Sequence, residues 1–262
     1  MKALVLTLAA LMLFACATSP MGRSQLLLFP EGEMAQMGAA AFQDIQSNSK
    51  VSQNAQTNSF VRCVADHIIR AMPGGDPAQW EVKVFDDPSA NAFALPGRKI
   101  GVHTGLLDVA ENQSQLATVM GHEVAHVLAK HSNERVSANF VTQSGLQLAQ
   151  IAVGADSAAK QQLFGLLGVG AQVGVLLPFG RAQEAEADLM GLELMANAGF
   201  DPRESVRLWQ NMQAQESGGR PPEFLSTHPS SERRISEMNA RMSKYMQIST
   251  EARAQGRFPD CR

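Results

Sequence analysis

His122 and His126 stand four residues apart in His122-Glu123-Val124-Ala125-His126. On a helix that spacing puts both imidazoles on one face, where they can share a tetrahedral zinc ion. Glu123, beside the first histidine, is placed to take a proton from the water such a metal activates. A catalytic zinc also needs a third protein ligand and an open position. The candidates are the three carboxylates of Arg181-Ala182-Gln183-Glu184-Ala185-Glu186-Ala187-Asp188. Glu184 and Asp188 are one helical turn apart and share an inward face with Met195. Glu186 falls with Glu193 and Asn197 on the face read as solvated. Glu184 is therefore the expected third ligand, with Glu186 the alternative and a plain acidic helix start the bland reading. Asp188 is then the acceptor that fixes the tautomer of a ligating histidine.

These groups need helices to hold them. Gln113 to about Glu134 reads as one long amphipathic helix, and Ala182–Ala198 as a second, closed by Gly199. Earlier, the spacing from Glu31 to about Met72 is helical, with Phe60, Val61, Val64, Ile68 and Ile69 on one face. Trp80–Phe85, Asn91–Leu95 and Lys99–His103 read as short strands of a small antiparallel sheet, with a turn at Pro96-Gly97. Helices follow over 203–216 and Ser231–Met246. The expected fold class is α+β, predominantly helical. Residues 140–180, rich in Gly and Ala and uncharged from Gln161 to Gly180, read as a helical insertion between the two metal motifs. A membrane span there is the competing reading, opposed by its interspersed Gly, Gln and Pro.

Composition narrows the partners. The 262 residues carry a formal charge of −3, with no basic excess to collect phosphates, so nucleic acid is not an expected partner. Lys2 and the apolar run Ala3–Ala15 form a signal-peptide core too short to span a bilayer comfortably. Leu13-Phe14-Ala15-Cys16 resembles a bacterial lipobox, which makes Cys16 the expected lipidation site; an ordinary secretory signal is the alternative. The expected organisation is a signal over 1–15, a polar tether over 16–30, and one domain over 31–262. The residue after Cys16 is not Asp, which by the lipoprotein sorting rule implies the outer membrane. Cys63 and Cys261 are then an even pair in an oxidising compartment, expected as a disulfide unless both stay as buried thiols.

Four segments together carry a resemblance: Asn91-Ala92-Phe93-Ala94-Leu95-Pro96-Gly97, the His122–His126 pentapeptide, Glu184-Ala185-Glu186-Ala187-Asp188-Leu189-Met190-Gly191, and Thr227-His228-Pro229 with Glu232-Arg233-Arg234-Ile235. They resemble the family of zinc metallopeptidases that contains the CAAX prenyl proteases, HtpX and BepA, most of all its soluble lipoprotein members of the LoiP type. The metzincin pattern is excluded, since Ala129 and Ser132 stand where it needs Gly and His. The resemblance implies a gluzincin core with one zinc ion held by His122, His126 and Glu184, and peptide hydrolysis with Glu123 as base. It implies that the strand at Asn91-Ala92 is an edge to which extended substrate adds. It makes His228 a latch or a transition-state helper, and Arg234 a donor to the oxyanion. The expected substrates are unfolded or misassembled envelope proteins in the periplasm, with the membrane reached through the N-terminal lipid. A chaperone-like scaffold that seldom cleaves is the alternative. His131 reads as solvated or as supporting a ligand; His67 and His103 read as structural.

Overall fold

The computed structural model describes residues 16–153, 177–217, 223–228 and 232–262. Helix α1 (Glu31–Asn48) and helix α2 (Ala55–Arg70) divide the first helical region, with Asn54 capping α2 by accepting from the Thr57 amide. Strands β3 (Glu81–Phe85), β4 (Ala92–Leu95) and β5 (Lys99–His103) follow a short pair, β1 (Cys16–Thr18) and β2 (Ser24–Leu26). Then come helices α3 (Gln113–Leu128), α4 (His131–Val153), α5 (Leu177–Asn197), α6 (Arg203–Ser217), the single-turn α7 (Glu223–Thr227) and α8 (Glu232–Ala254).

The expected antiparallel sheet is instead mixed. Its order is β3-β5-β4, with β5 parallel to β3 and antiparallel to β4. Local alternation marks a strand but carries no information about which neighbour it takes, and here β5 inserts between two strands that precede it. The result leaves β4 on an edge, facing α3.

Helix α3 is the axis of the core. Asn112 caps it by accepting from the Ser114 and Gln115 amides, and every residue from Ser114 to His126 is buried. A helix buried all round needs partners on every side, and α3 has α2, α5, α6 and β4. The contact with α5 is closest at two glycines. A Cβ on Gly191 would sit 2.8 Å from the His122 backbone nitrogen, and one on Gly121 would meet the Gly191 carbonyl oxygen at 2.8 Å. Any larger residue would push α5 off α3, and with it the carboxylates α5 carries.

The long helix expected over Gln113–Glu134 is broken. Lys130 takes a left-handed conformation (φ 56°), so α3 ends at Leu128 and α4 starts afresh at His131. No Gly or Pro announces this break. Part of its support comes from far away, since the Gln25 side chain donates to the Ala129 carbonyl at 2.6 Å.

That contact belongs to a second difference. Residues 16–30, expected as a solvated tether, pair as a hairpin packed on the body, with Ser19 and Gln25 buried. Polar composition suggested solvent, but the partners of this segment are themselves polar. Of the Gly/Ala-rich stretch, residues 154–176 lie outside the described residues, as does the expected signal over 1–15. No described helix is long and apolar enough to cross a membrane. At the other end, Cys63 on α2 is bridged to Cys261, 198 residues on, with Cα atoms 5.6 Å apart. Loop-closure entropy for a ring of that size penalises the unfolded chain by up to about 5 kcal/mol.

Candidate active site

His122 and His126 project from α3 toward Glu184, in the second turn of α5. His228, just after α7, closes the group from the far side. His122 Nε2 lies 3.0 Å from His126 Nε2 and 3.2 Å from His228 Nδ1. The Glu184 carboxylate is 3.3 Å from each of the first two Nε2 atoms and 3.0 Å from His228 Nδ1. All four residues are buried.

The hydrogen-bond partners of this cluster leave two imidazole nitrogens facing one position. Asp188 Oδ1 sits 3.1 Å from His122 Nδ1, so that nitrogen donates and Nε2 carries a lone pair. His126 Nδ1 is 2.8 Å from His131 Nδ1, and His131 Nε2 is 3.2 Å from Glu186 Oε2. The carboxylate draws the His131 proton to Nε2, His131 Nδ1 accepts from His126, and His126 Nε2 is also a lone pair. Two lone pairs 3.0 Å apart beside a carboxylate repel unless a positive charge lies between them. Donors 3.0–3.3 Å apart are corners of a tetrahedron whose centre is about 2.0 Å from each, the length of a zinc–imidazole bond. The set fits Zn²⁺.

Electrostatics treat the two rings differently, and on His122 a metal ion would have to displace a proton from Nε2. Burial drives the His126 pKa down to about 3, keeping the ring neutral. Burial also opposes charge on His122, but Asp188 and Glu184 outweigh it and lift that ring to about 9. For Glu184 and Asp188 burial favours the neutral acid, yet their histidine and arginine partners hold both below the usual carboxylate range. Glu123 goes the other way, since burial raises its pKa.

Glu123 is held without being used up. Its Oε2 accepts from the Ala94 amide of β4 at 2.9 Å, and its buried Oε1 has no hydrogen-bond partner among the described residues. Oε1 lies 3.3 Å from His228 Nε2, in poor alignment for a bond. An orphaned carboxylate oxygen is costly, and here it points beside the metal-binding cluster.

Arg234 is engaged elsewhere than expected. Its Nε and Nη2 donate to Asp188 at 2.6 and 2.8 Å, Nη1 lies 3.2 Å from Glu184, and the group rests 4.5 Å above the Trp209 ring. The guanidinium that the resemblance assigns to an oxyanion thus braces two acidic side chains of the cluster. Asn91 and Ala92 lie at the start of the edge strand, but the amide that meets Glu123 is Ala94's. Glu186 is buried, not solvated, because the hairpin covers it: the Met21 amide and Arg23 Nε donate to it at 3.1 and 3.2 Å. Cys16 opens β1, and the Cys63–Cys261 bridge lies apart from the cluster. A groove of about 800 Å³ runs on from the end of β4, lined by Leu27, Phe29, Met34, Pro96 and Leu128, with His126 on its wall.

Sequence reasoning missed Phe224, Arg23 and the burial of Glu186. Phe224 stacks on His228 with ring centroids 4.5 Å apart, and its amide donates to the Ala90 carbonyl at 3.0 Å. It thereby fixes the His228 turn to the root of β4. No local spacing marks these residues.

The model of peptidase family M48 matches residues 53–242. The chain belongs to that family. It is 40% identical over 180 residues to mitochondrial metalloendopeptidase OMA1 of Schizosaccharomyces pombe, covering 68% of this chain and 51% of that protein. Metalloendopeptidase OMA1 of Bos taurus is 32% identical over 250 residues, 87% of this chain and 46% of its own. The beta-barrel assembly-enhancing protease of Escherichia coli is 32% identical over 168 residues, 62% of this chain and 34% of its own. The chain spans about half the length of the OMA1 relatives it matches. Family membership and the donor geometry agree on a zinc metallopeptidase core.

Proposed function

We propose that the chain is a zinc-dependent endopeptidase that hydrolyses unfolded or misassembled proteins of a bacterial cell envelope. The observation that carries this reading is the unpartnered Glu123 Oε1, buried beside two imidazole lone pairs and a carboxylate. Zn²⁺ held by His122, His126 and Glu184 would supply Lewis acidity toward a carbonyl and toward water. Glu123 Oε1 takes a proton from the attacking water and returns it to the leaving amine nitrogen, while the Ala94 amide keeps Oε2 in place. The edge of β4 that β5 does not cover lets an extended chain add as a further strand beside the Ala94 amide held by Glu123. The adjoining groove, apolar at Leu27, Phe29 and Met34 and charged at Arg98 and Lys130, receives its side chains. Removing metal with a chelator abolishes casein digestion, and stoichiometric Zn²⁺ restores it; digestion that persists in metal-free protein overturns the reading.

The location is part of the same proposal. It is supported by Lys2, the apolar run and Cys16 as lipidation site, by the Cys63–Cys261 bridge, which suits an oxidising compartment, and by similarity to a bacterial protease. Anchoring to the outer membrane, like the soluble lipoprotein type of this family, belongs to this reading.

His228 favours a latched form of the enzyme over a scaffold. Its Nδ1 occupies the corner that a catalytic site keeps open for water. We expect His228→Ala to raise casein digestion on the order of tenfold, equivalent to ~1.4 kcal/mol of relieved competition. A fall with zinc retained makes His228 a catalytic helper instead, and no activity in either protein with zinc bound supports the scaffold. The raised pKa of Glu123 has its own signature. A base must be ionised to act, so kcat/KM climbs with pH through a midpoint above the 4.5 of a free glutamate. An acid limb centred at or below that value contradicts the assignment.

A further inference from the structure

We infer that His131, Glu186 and Arg23 are positioning residues for the metal site, and that the N-terminal hairpin is therefore a working part of the zinc centre. The inference rests on the peptidase reading above and concerns how His126 is made a ligand. A histidine binds metal through a nitrogen only when its proton sits on the other one. For His122 the acceptor that holds this proton is Asp188. For His126 Nδ1 the partner found among the described residues is not a carboxylate but His131 Nδ1, at 2.8 Å. An imidazole can donate or accept there, so His131 does not decide the question by itself.

Glu186 decides it. Its Oε2 lies 3.2 Å from His131 Nε2 and can only accept, which places the His131 proton on Nε2 and leaves Nδ1 to receive the proton of His126. The opposite pattern would put the His126 proton on Nε2, aimed into the metal position. The hairpin surrounds this carboxylate with donors. The Met21 amide and Arg23 Nε hold one oxygen each, at 3.1 and 3.2 Å. Arg23 is fixed in turn by Glu134, which takes Nη1 in a short bond and Nη2 at 2.7 Å, and Glu134 also accepts from Gln183 at 2.8 Å. Gln25, two residues on, caps the end of α3 at Ala129. The break at Lys130 is what makes this possible. In an unbroken helix position i+5 is turned well away from i, and His131 could not reach His126.

Zinc affinity by chelator competition and the absorption spectrum of the Co²⁺-substituted full chain test the relay. Glu186→Gln keeps the size of the side chain but offers an amide that can donate to His131. We expect its zinc affinity to fall about 10- to 100-fold, with an altered Co²⁺ band and an unchanged far-UV circular dichroism spectrum. Glu193→Gln, exposed on the same helix, should leave affinity and spectrum as they are in wild type. Unchanged affinity in Glu186→Gln overturns the inference. Should that variant fail to fold, the half-exposed Arg23 provides the second arm. Arg23→Met weakens zinc binding and Arg23→Lys recovers it, whereas equal affinity in the two overturns the inference. Wild-type protein that takes up no zinc would instead overturn the peptidase reading, and this inference with it.

Discussion

Glu123→Gln should retain its zinc and lose about 10³-fold in the rate of casein digestion, the scale of removing a positioned general base. The expectation follows from how the two oxygens are divided. Oε2 is committed to the Ala94 amide, and a glutamine oxygen can keep that bond. The amide nitrogen then stands where Oε1 was, presenting hydrogens where the attacking water needs an acceptor. None of the four donors that crowd the metal position comes from Glu123, so metal content should not change. A rate loss of this size corresponds to ~4 kcal/mol of barrier. Atomic absorption and a casein assay on one preparation check both halves, and digestion at the wild-type rate removes Glu123 from the mechanism.

The second large effect concerns stability. Asp188 accepts from His122 through Oδ1 and from Arg234 through both oxygens, and all three residues are buried. In Asp188→Asn the Oδ1 position can still accept from His122 and from Arg234 Nη2, but an amide nitrogen then faces Arg234 Nε and the negative charge that balanced the buried guanidinium is gone. Breaking a buried pair from one side costs about 3–5 kcal/mol, and we expect a loss in that range by denaturant unfolding. The double variant Asp188→Leu with Arg234→Met removes both charges and should recover most of the stability. It should not recover zinc affinity, because His122 still lacks the acceptor that sets its tautomer. An Asp188→Asn protein as stable as wild type would show that the pair is not an energetic unit.

What could be read from the chain alone was what depends on local spacing. His122 and His126 are adjacent on a helix whatever surrounds it, and Glu184, Asp188 and Met195 share a face for the same reason. Alternation located β5 to the residue and β3 and β4 within one residue at the N-terminal end. The misreadings depend on partners far along the chain. Glu186 was placed in solvent because the segment that covers it lies more than 160 residues away. The break after α3 draws part of its support from Gln25, and the pairing of Arg234 with Asp188, across 46 residues, left no local mark. Strand order likewise is a matter of which edges meet, not of the pattern within any strand. Polar residues were the main source of error, since the sequence shows that a side chain is polar but not whether water or another side chain satisfies it.

The hairpin leaves almost no slack at the front of the folded body. Strand β1 begins at Cys16 itself, and even fully extended chain from Cys16 to Arg23 would reach only about 25 Å. On the lipid-anchored reading proposed above, acyl chains on that cysteine would moor the catalytic cleft at a short standoff from the leaflet. Such an enzyme would not sweep a wide volume on a leash. It would meet those polypeptides that linger at the bilayer surface, and folded proteins passing at a distance would be spared by geometry alone.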